Sequence, residues 1–151
     1  MEYLLDITLQ NRKILHKFLT ETPREKLFTI PVGFNNNIWW NIAHVVVTQQ
    51  LLVYKMSNLQ MRIDDGMVEA YRKGTFPKGE VSDEEIKKMA DLLLSTVEWL
   101  KEDYENGLFK QFNSYTTSVN ITLDKVEDSI AFNTFHEGIH LGAILALRRA
   151  V

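Results

Sequence analysis

The chain has 151 residues, 45% of them hydrophobic and 25% charged, which is typical of one compact globular domain, so we expect a single domain over residues 1–151. Its net charge of −3 gives no reason to expect nucleic acid or an anionic membrane as a partner, and the absence of cysteine excludes disulfides, thiolate ligands and a cysteine nucleophile. No apolar run reaches the roughly 18 residues of a membrane helix, and the first residues do not form a signal peptide, so we expect a cytoplasmic protein.

The first half of the chain contains two stretches with helical periodicity. Residues 2–20 place apolar side chains mostly at three- and four-residue steps, which predicts an amphipathic helix. Pro23 and Pro31 bracket a connection with room for one short helical turn. The asparagines at 35–37 are N-cap candidates for a second helix, which we expect to run to about Asn58.

A long connection follows the second predicted helix. Residues 59–80 contain three glycines and one proline, with a short helix expected around Val68 to Arg72. Ser82 followed by Glu85 is a capping box, which predicts the start of a third helix. Gly107 is expected to stop that helix.

The last quarter of the chain combines an extended segment with a helix. The polar, β-branched stretch within residues 109–122 favours an extended crossing. Asp124 together with Glu127 predicts the cap of a fourth helix, which continues to about Arg149. Four long helices with long connections predict an all-α fold, a four-helix bundle in which two neighbouring helices run parallel.

The chain carries four histidines, and two of them belong to a His-Glu-x-x-His string, His136 to His140. These two lie one helical turn apart on a stripe that continues with apolar residues, so both are expected to face the core. His44 lies on a similar apolar face of the second helix. Imidazoles pointed at an apolar core need hydrogen bonds or a metal, and the three together predict a metal site.

The fourth histidine, His16, is left out of this predicted site. It shares a helical face with Arg12 and Lys13, which indicates solvent exposure.

The His-Glu-x-x-His string is also the motif of zinc peptidases, in which the third ligand normally lies downstream. Leu141 to Val151 contains no histidine, aspartate or glutamate, so a peptidase is not favoured. A di-iron bundle would require a second Glu-x-x-His pair, and the segment Asn41 to Ala43 before His44 supplies no glutamate. A mononuclear site of His44, His136 and His140 with an open position for water or substrate is preferred.

The pattern Asn37-x-x-Trp40-x-x-x-His44 on a second helix, with "HEGIHLGAILALRR" on the last, resembles the DinB/YfiT-like superfamily over essentially the whole chain. The resemblance implies that His44, His136 and His140 bind one divalent metal inside a four-helix bundle, and that the protein forms a homodimer. Characterised relatives include S-transferases that use bacillithiol, mycothiol or glutathione, and thiol-dependent isomerases. Others are known only as metal-binding or stress-induced proteins.

Three functions are compatible with these residues. The first is a metal-dependent transferase acting on a small-molecule thiol and an electrophile, because a divalent ion on three neutral histidines lowers the pKa of a bound thiol or water. The second is a metal-dependent hydrolase with the same site, and the third is a non-enzymatic metal-binding stress protein. Such a site accepts zinc, nickel, iron or manganese.

Several further residues are candidates for roles around the metal. Glu137 is a candidate general base, although a partner behind a ligand or an exposed carboxylate is an equally good interpretation, because it lies about 100° round the helix from His136. The candidate substrate contacts are Asn37, Asn41, Tyr54 and Arg148, and capping explains Asn37 equally well.

Overall fold

The computed structural model describes residues 1–151 and is all-α apart from one short hairpin, as the sequence predicts. The elements in chain order are α1 Glu2–Glu21, α2 Arg24–Phe28, α3 Ile38–Gln49, a π-helix Gln50–Lys55, α4 Asp65–Tyr71, α5 Asp83–Glu105, β1 Tyr115–Thr116, β2 Thr122–Leu123 and α6 Val126–Ala150. The four long helices form the bundle, and the shorter elements lie in the connections. No helix is long and apolar enough to span a bilayer.

Two of the predicted helix starts and one predicted stop are confirmed. The Asn37 side chain accepts a hydrogen bond from the backbone N–H of Trp40 at 2.8 Å and caps α3. Ser82 and Glu85 form the reciprocal capping box of α5. Gly107 follows α5 with a φ of +65°, a conformation that glycine adopts at little cost.

The predicted cap of the last helix is wrong. Helix α6 begins at Val126 after Lys125, which makes no side-chain capping bond. The two residues predicted to form the cap bind elsewhere: Asp124 accepts a hydrogen bond from Ser114, and Glu127 accepts one from Tyr104. The carboxylates of Asp124 and Glu127 therefore bind tertiary partners and do not form the helix cap that the local sequence pattern indicates.

The second predicted helix ends earlier and differently from the expectation. After Gln49 the backbone widens into a π-helix, in which the N–H of Met56 donates to the carbonyl of Leu51. Asn58, where we expected the helix to end, has a φ of +56° and lies in the turn beyond. The predicted extended crossing is a hairpin, with Tyr115 paired to Leu123 and Thr116 to Thr122.

Contacts between the helices give their directions. Helices α1 and α6 run parallel, since Thr8 contacts Thr134 and Arg12 contacts Glu137. Helices α3 and α5 also run parallel, because Gln49 contacts the carbonyl of Thr96 and Tyr54 in the following π-helix contacts Asp103. The long connection between α3 and α5 carries the chain back along the bundle, which confirms the predicted parallel neighbours.

The core consists of two apolar clusters. The larger one is centred on the N-terminal half of α3 and the C-terminal end of α6, with Ile42, Val46, Leu93 and Ile144 among its members. The smaller one contains Leu5, Val53, Tyr54, Leu100, Val126 and Ile130. Between the two clusters each long helix contributes a buried polar side chain: Arg12, Gln49, Thr96 and Glu137. We call these four residues the polar layer.

The buried face of α1 differs from the predicted one. Ile7 and Ile14 are 39% and 41% exposed, whereas Thr8 and Arg12 are buried. Arg12 therefore does not mark a solvent-facing side of α1, and this part of the argument for an exposed His16 is wrong. The face turns inward because the Arg12 guanidinium has a carboxylate partner on α6.

Candidate metal centre

The structure brings together the three histidines predicted as metal ligands. His44 projects from α3, and His136 and His140 project from successive turns of α6. The ring centroids are 5.2 Å apart for His44 and His136, 4.7 Å for His44 and His140, and 4.5 Å for His136 and His140. One nitrogen from each ring lies within 4.8 Å of the others, so the cluster can hold a metal ion.

Hydrogen bonds orient the ring of His44. Its Nδ1 lies 2.7 Å from the carbonyl oxygen of Tyr71, which can only accept, so Nδ1 carries the proton and Nε2 carries the lone pair. The hydroxyl of Thr48, one turn along α3, lies 3.2 Å from that Nε2. The indole of Trp40 stacks on a face of the His44 ring, with centroids 4.6 Å apart and planes 11° from parallel.

The ring of His140 is oriented by Asn41. The Nδ2 of Asn41 donates to the side-chain oxygen of Asn36 and to the carbonyl of Asn37, which turns its Oδ1 towards α6. That Oδ1 accepts from Nδ1 of His140 at 2.8 Å and leaves Nε2 of His140 as the free nitrogen. A hydrogen bond that fixes the tautomer in this way is typical of metal-binding histidines.

All three histidines are held in the neutral form that binds metals. Burial lowers the pKa of His136 to about 3, with further contributions from His140, His44 and Arg12. Burial and the neighbouring His44 lower the pKa of His140 to about 4, and burial lowers the pKa of His44. The Nδ1 of His136 is buried without a hydrogen-bond partner. A cluster of neutral rings with an unpartnered buried nitrogen fits a divalent cation.

Glu137, the candidate base, follows His136 on α6 but does not line the cavity beside the histidines. Its carboxylate is fully buried, and both oxygens receive the guanidinium of Arg12 at 2.9 Å. Asn11 and Asn133 donate to the same two oxygens. With four donors and no access to the cavity, Glu137 serves as a buried counterion for Arg12, so the predicted base role lacks a route to substrate.

A cavity of about 250 Å³ opens beside the histidines and reaches His44 and His136. Its other lining residues are Thr48, Leu51, Leu52, Lys55, Met56, Lys73, Tyr115, Thr117, Ser118 and Phe132. The π-helix supplies Leu51, Leu52 and Lys55, while the β1 segment and the turn after α4 supply the opposite wall. The cavity combines apolar, hydroxyl and basic side chains next to a group of metal-binding nitrogens.

None of the four residues predicted to contact substrate lines this cavity. Asn37 caps α3 and donates to the carbonyl of Phe28. Tyr54 is buried in the smaller apolar cluster and donates to Asp103. Arg148 lies over the ring of Phe18, 3.9 Å from its centroid. The fourth, Asn41, acts on the site through His140. The fourth histidine, His16, lies outside the cluster, in agreement with its omission from the predicted site.

Comparison with known proteins agrees with this geometry. The family model described as the DinB superfamily matches residues 7–144, so the chain belongs to the DinB superfamily. No curated protein sequence matches the chain. The family and the three-histidine cluster together identify a DinB-like protein with a site that can bind a metal ion.

Proposed function

We propose that this protein is a divalent-metal-dependent transferase that joins a low-molecular-weight thiol to a small electrophile. The observation that carries the proposal is the meeting of the three neutral histidines with a cavity large enough for a small ligand. His44, His136 and His140 would hold the ion. When bound, such an ion stabilises the thiolate form of a thiol at neutral pH.

The residues of the cavity favour a thiol as the nucleophile. The chain has no cysteine, so the thiol comes from a substrate. No carboxylate lines the cavity, and Glu137 is occupied by Arg12, so no side-chain carboxylate is available to activate water. A thiol needs less help than water, because its ordinary pKa lies near 8.5. This difference supports the transferase over the hydrolase.

The residues that line the cavity would exclude water from the reactants and orient them. Leu51, Leu52 and Phe132 exclude water from one side of the bound reactants. The hydroxyls of Thr48, Thr117 and Ser118 supply hydrogen bonds that orient them.

The experiment offers the metal-loaded protein an electrophile such as monochlorobimane, with and without a panel of thiols. Turnover that requires a thiol supports the transferase. Turnover of ester or amide substrates without a thiol would instead support the hydrolase. Metal binding with neither activity would identify a non-enzymatic metal-binding protein. The His44→Ala variant is the negative control for all three measurements.

We also propose that the protein is a homodimer formed through α1 and α6. The exposed residues of α6 over four turns carry no charge: they are Ala131, Phe135, Gly138, Ile139, Gly142, Leu145 and Ala146. Tyr3, Ile7 and Ile14 of α1 are exposed on the other side of a groove that Gly138 also lines. A charge-free helix face of this length is typical of surfaces buried by a second copy of the chain.

A further inference from the structure

The cavity beside the histidines is lined by positive charge. Lys55 and Lys73 both line it, and no aspartate or glutamate does. The chain as a whole has 20 acidic and 17 basic residues, so a wall with two positive charges and no negative one is opposite in sign to the protein. The lysines reach the cavity from separate elements, the π-helix and the turn after α4.

Neither lysine is neutralised within the protein. Lys17, Lys88 and Lys101 each form an ion pair with a carboxylate. Lys55 and Lys73 form none and make no side-chain hydrogen bond, although Lys55 also borders a depression that contains Asp64 and Asp65. Asp64 is paired with Lys88, and neither Asp64 nor Asp65 forms an ion pair with Lys55 or Lys73, so both ammonium groups are available to a ligand.

The remaining lining residues indicate what the uncharged part of the ligand contacts. Leu51, Leu52, Met56 and Phe132 form an apolar side, and His44 and His136 form one end. The two lysines act as point charges that suit an anionic group, and the cavity volume of about 250 Å³ limits the ligand to a small one. A carboxylate on a short carbon chain matches this combination of walls.

We propose that the cavity binds a small ligand that carries a carboxylate, with Lys55 and Lys73 holding that carboxylate and the reacting end lying at the histidines. This inference rests on the proposed function for the identity of the reacting end, a thiol. Lys55 and Lys73 would select the substrate by its negative charge.

The test uses two thiols of the same shape and different charge, 3-mercaptopropionate and 3-mercaptopropionamide. Their dissociation constants for the zinc-loaded protein are measured by calorimetry at low ionic strength. We expect the carboxylate thiol to bind about ten-fold more tightly, as one or two solvent-exposed charge pairs would produce. Raising the salt concentration should reduce this preference.

The variant Lys55→Gln/Lys73→Gln should lose the preference and bind the neutral thiol as the wild type does. Lys13→Gln/Lys87→Gln, which changes the net charge equally at exposed positions outside the cavity, should keep the preference. Equal binding of the two thiols to the wild type, or a preference that survives in the Lys55/Lys73 variant, overturns the proposal.

A third ligand separates failure of this inference from failure of the proposed function. If neither thiol binds, the thiol-dependent function is wrong, and titration with succinate decides the role of the lysines. Succinate binding that weakens about ten-fold in the Lys55/Lys73 variant would support the carboxylate site without a thiol. Succinate binding that is absent, or equal in the two proteins, would overturn it.

Discussion

The Nδ1 atom of His140 donates to the side-chain oxygen of Asn41 at 2.8 Å, and this bond joins α6 to α3 beside the histidine cluster. The amide of Asn41 cannot rotate freely, because its Nδ2 is held by Asn36 and by the carbonyl of Asn37. The cap of α3 thus fixes Asn41, and Asn41 fixes the tautomer of His140. Residues that start a helix therefore also determine which nitrogen faces the site.

Replacing Asn41 with alanine should lower metal affinity by about 10- to 100-fold, the range found when a group that orients a metal-binding histidine is removed. Competition with a chromophoric chelator measures this change. Asn41→Asp keeps an acceptor oxygen and should recover most of the affinity. If Asn41→Ala binds metal as tightly as the wild type while keeping its helical circular dichroism, the orienting role is wrong.

Removing one histidine of the cluster should abolish stoichiometric metal binding. We expect one metal ion per chain in the wild type and a small fraction of that in His44→Ala, His136→Ala or His140→Ala, because two imidazoles alone hold a divalent ion weakly. His16→Ala is the matched control and should retain full metal content. Metal analysis of the purified proteins gives the answer, and equal content in His44→Ala and wild type would exclude the three-histidine site.

The buried ion pair between Arg12 and Glu137 should make single substitutions costly. Arg12→Ala leaves a buried carboxylate without its cation, so we expect a loss of about 3–5 kcal/mol in the free energy of unfolding. The double variant Arg12→Met/Glu137→Leu removes both charges and should lie closer to the wild type. Urea denaturation measures each protein. A double variant that loses as much stability as Arg12→Met and Glu137→Leu added together would show that the two side chains do not act as a pair.

Acidification should destabilise the metal-free protein before its carboxylates titrate. Burial lowers the pKa of His136 to about 3 and the pKa of His140 to about 4, whereas both are near 6.5 in the unfolded chain. The unfolded state therefore binds more protons below about pH 6.5, and the free energy of unfolding falls as the pH decreases towards those lowered values. The slope is at most about 1.4 kcal/mol per pH unit for each histidine.

Denaturation of the metal-free protein between pH 7 and pH 5 tests this expectation. His136→Gln/His140→Gln is the control, because it lacks the two groups and should show a flatter profile. Parallel profiles for the two proteins would show that the histidines are not responsible.

The charge-free face of α6 predicts a change of oligomeric state on substitution. Ile139 is 51% exposed at its centre, so Ile139→Glu should place a charge inside the proposed dimer interface and yield monomers. Light scattering should give about twice the 17.6 kDa of one chain for the wild type and one chain for the variant. Val119→Glu, exposed to a similar degree in the hairpin, should remain dimeric. A monomeric wild type would contradict the proposal.

The long helices could be predicted because local signals mark them. The capping box at Ser82, the cap at Asn37 and the glycine after α5 each act within a few residues of the position that they define. The π-helix, the hairpin pairing and the inward turn of Arg12 could not be predicted, since each depends on partners that are remote in sequence. Glu137, for example, lies 125 positions from Arg12.

In the candidate site, too, the features set by local sequence could be predicted and those set by remote partners could not. The spacing of His136 and His140 and the apolar surroundings of His44 are visible in the sequence, and Thr48, Leu51 and Lys55 continue the helical face of His44. Lys73 and Tyr115 reach the cavity from connections whose path no periodicity predicts. Tyr54 and Arg148, the predicted substrate contacts, instead bind Asp103 and pack over Phe18, partners that are remote in sequence.

The polar layer between the two apolar clusters determines how far the helices can slide past one another. A shift of α6 along α1 by one turn, about 5.4 Å, would separate Glu137 from Arg12 and leave two opposite charges buried without partners. The same shift would carry His136 and His140 away from His44. The salt bridge between Arg12 and Glu137, which lies outside the cavity, thus fixes the axial register of α6 against α1. In that register the three imidazoles lie close enough together to bind one ion.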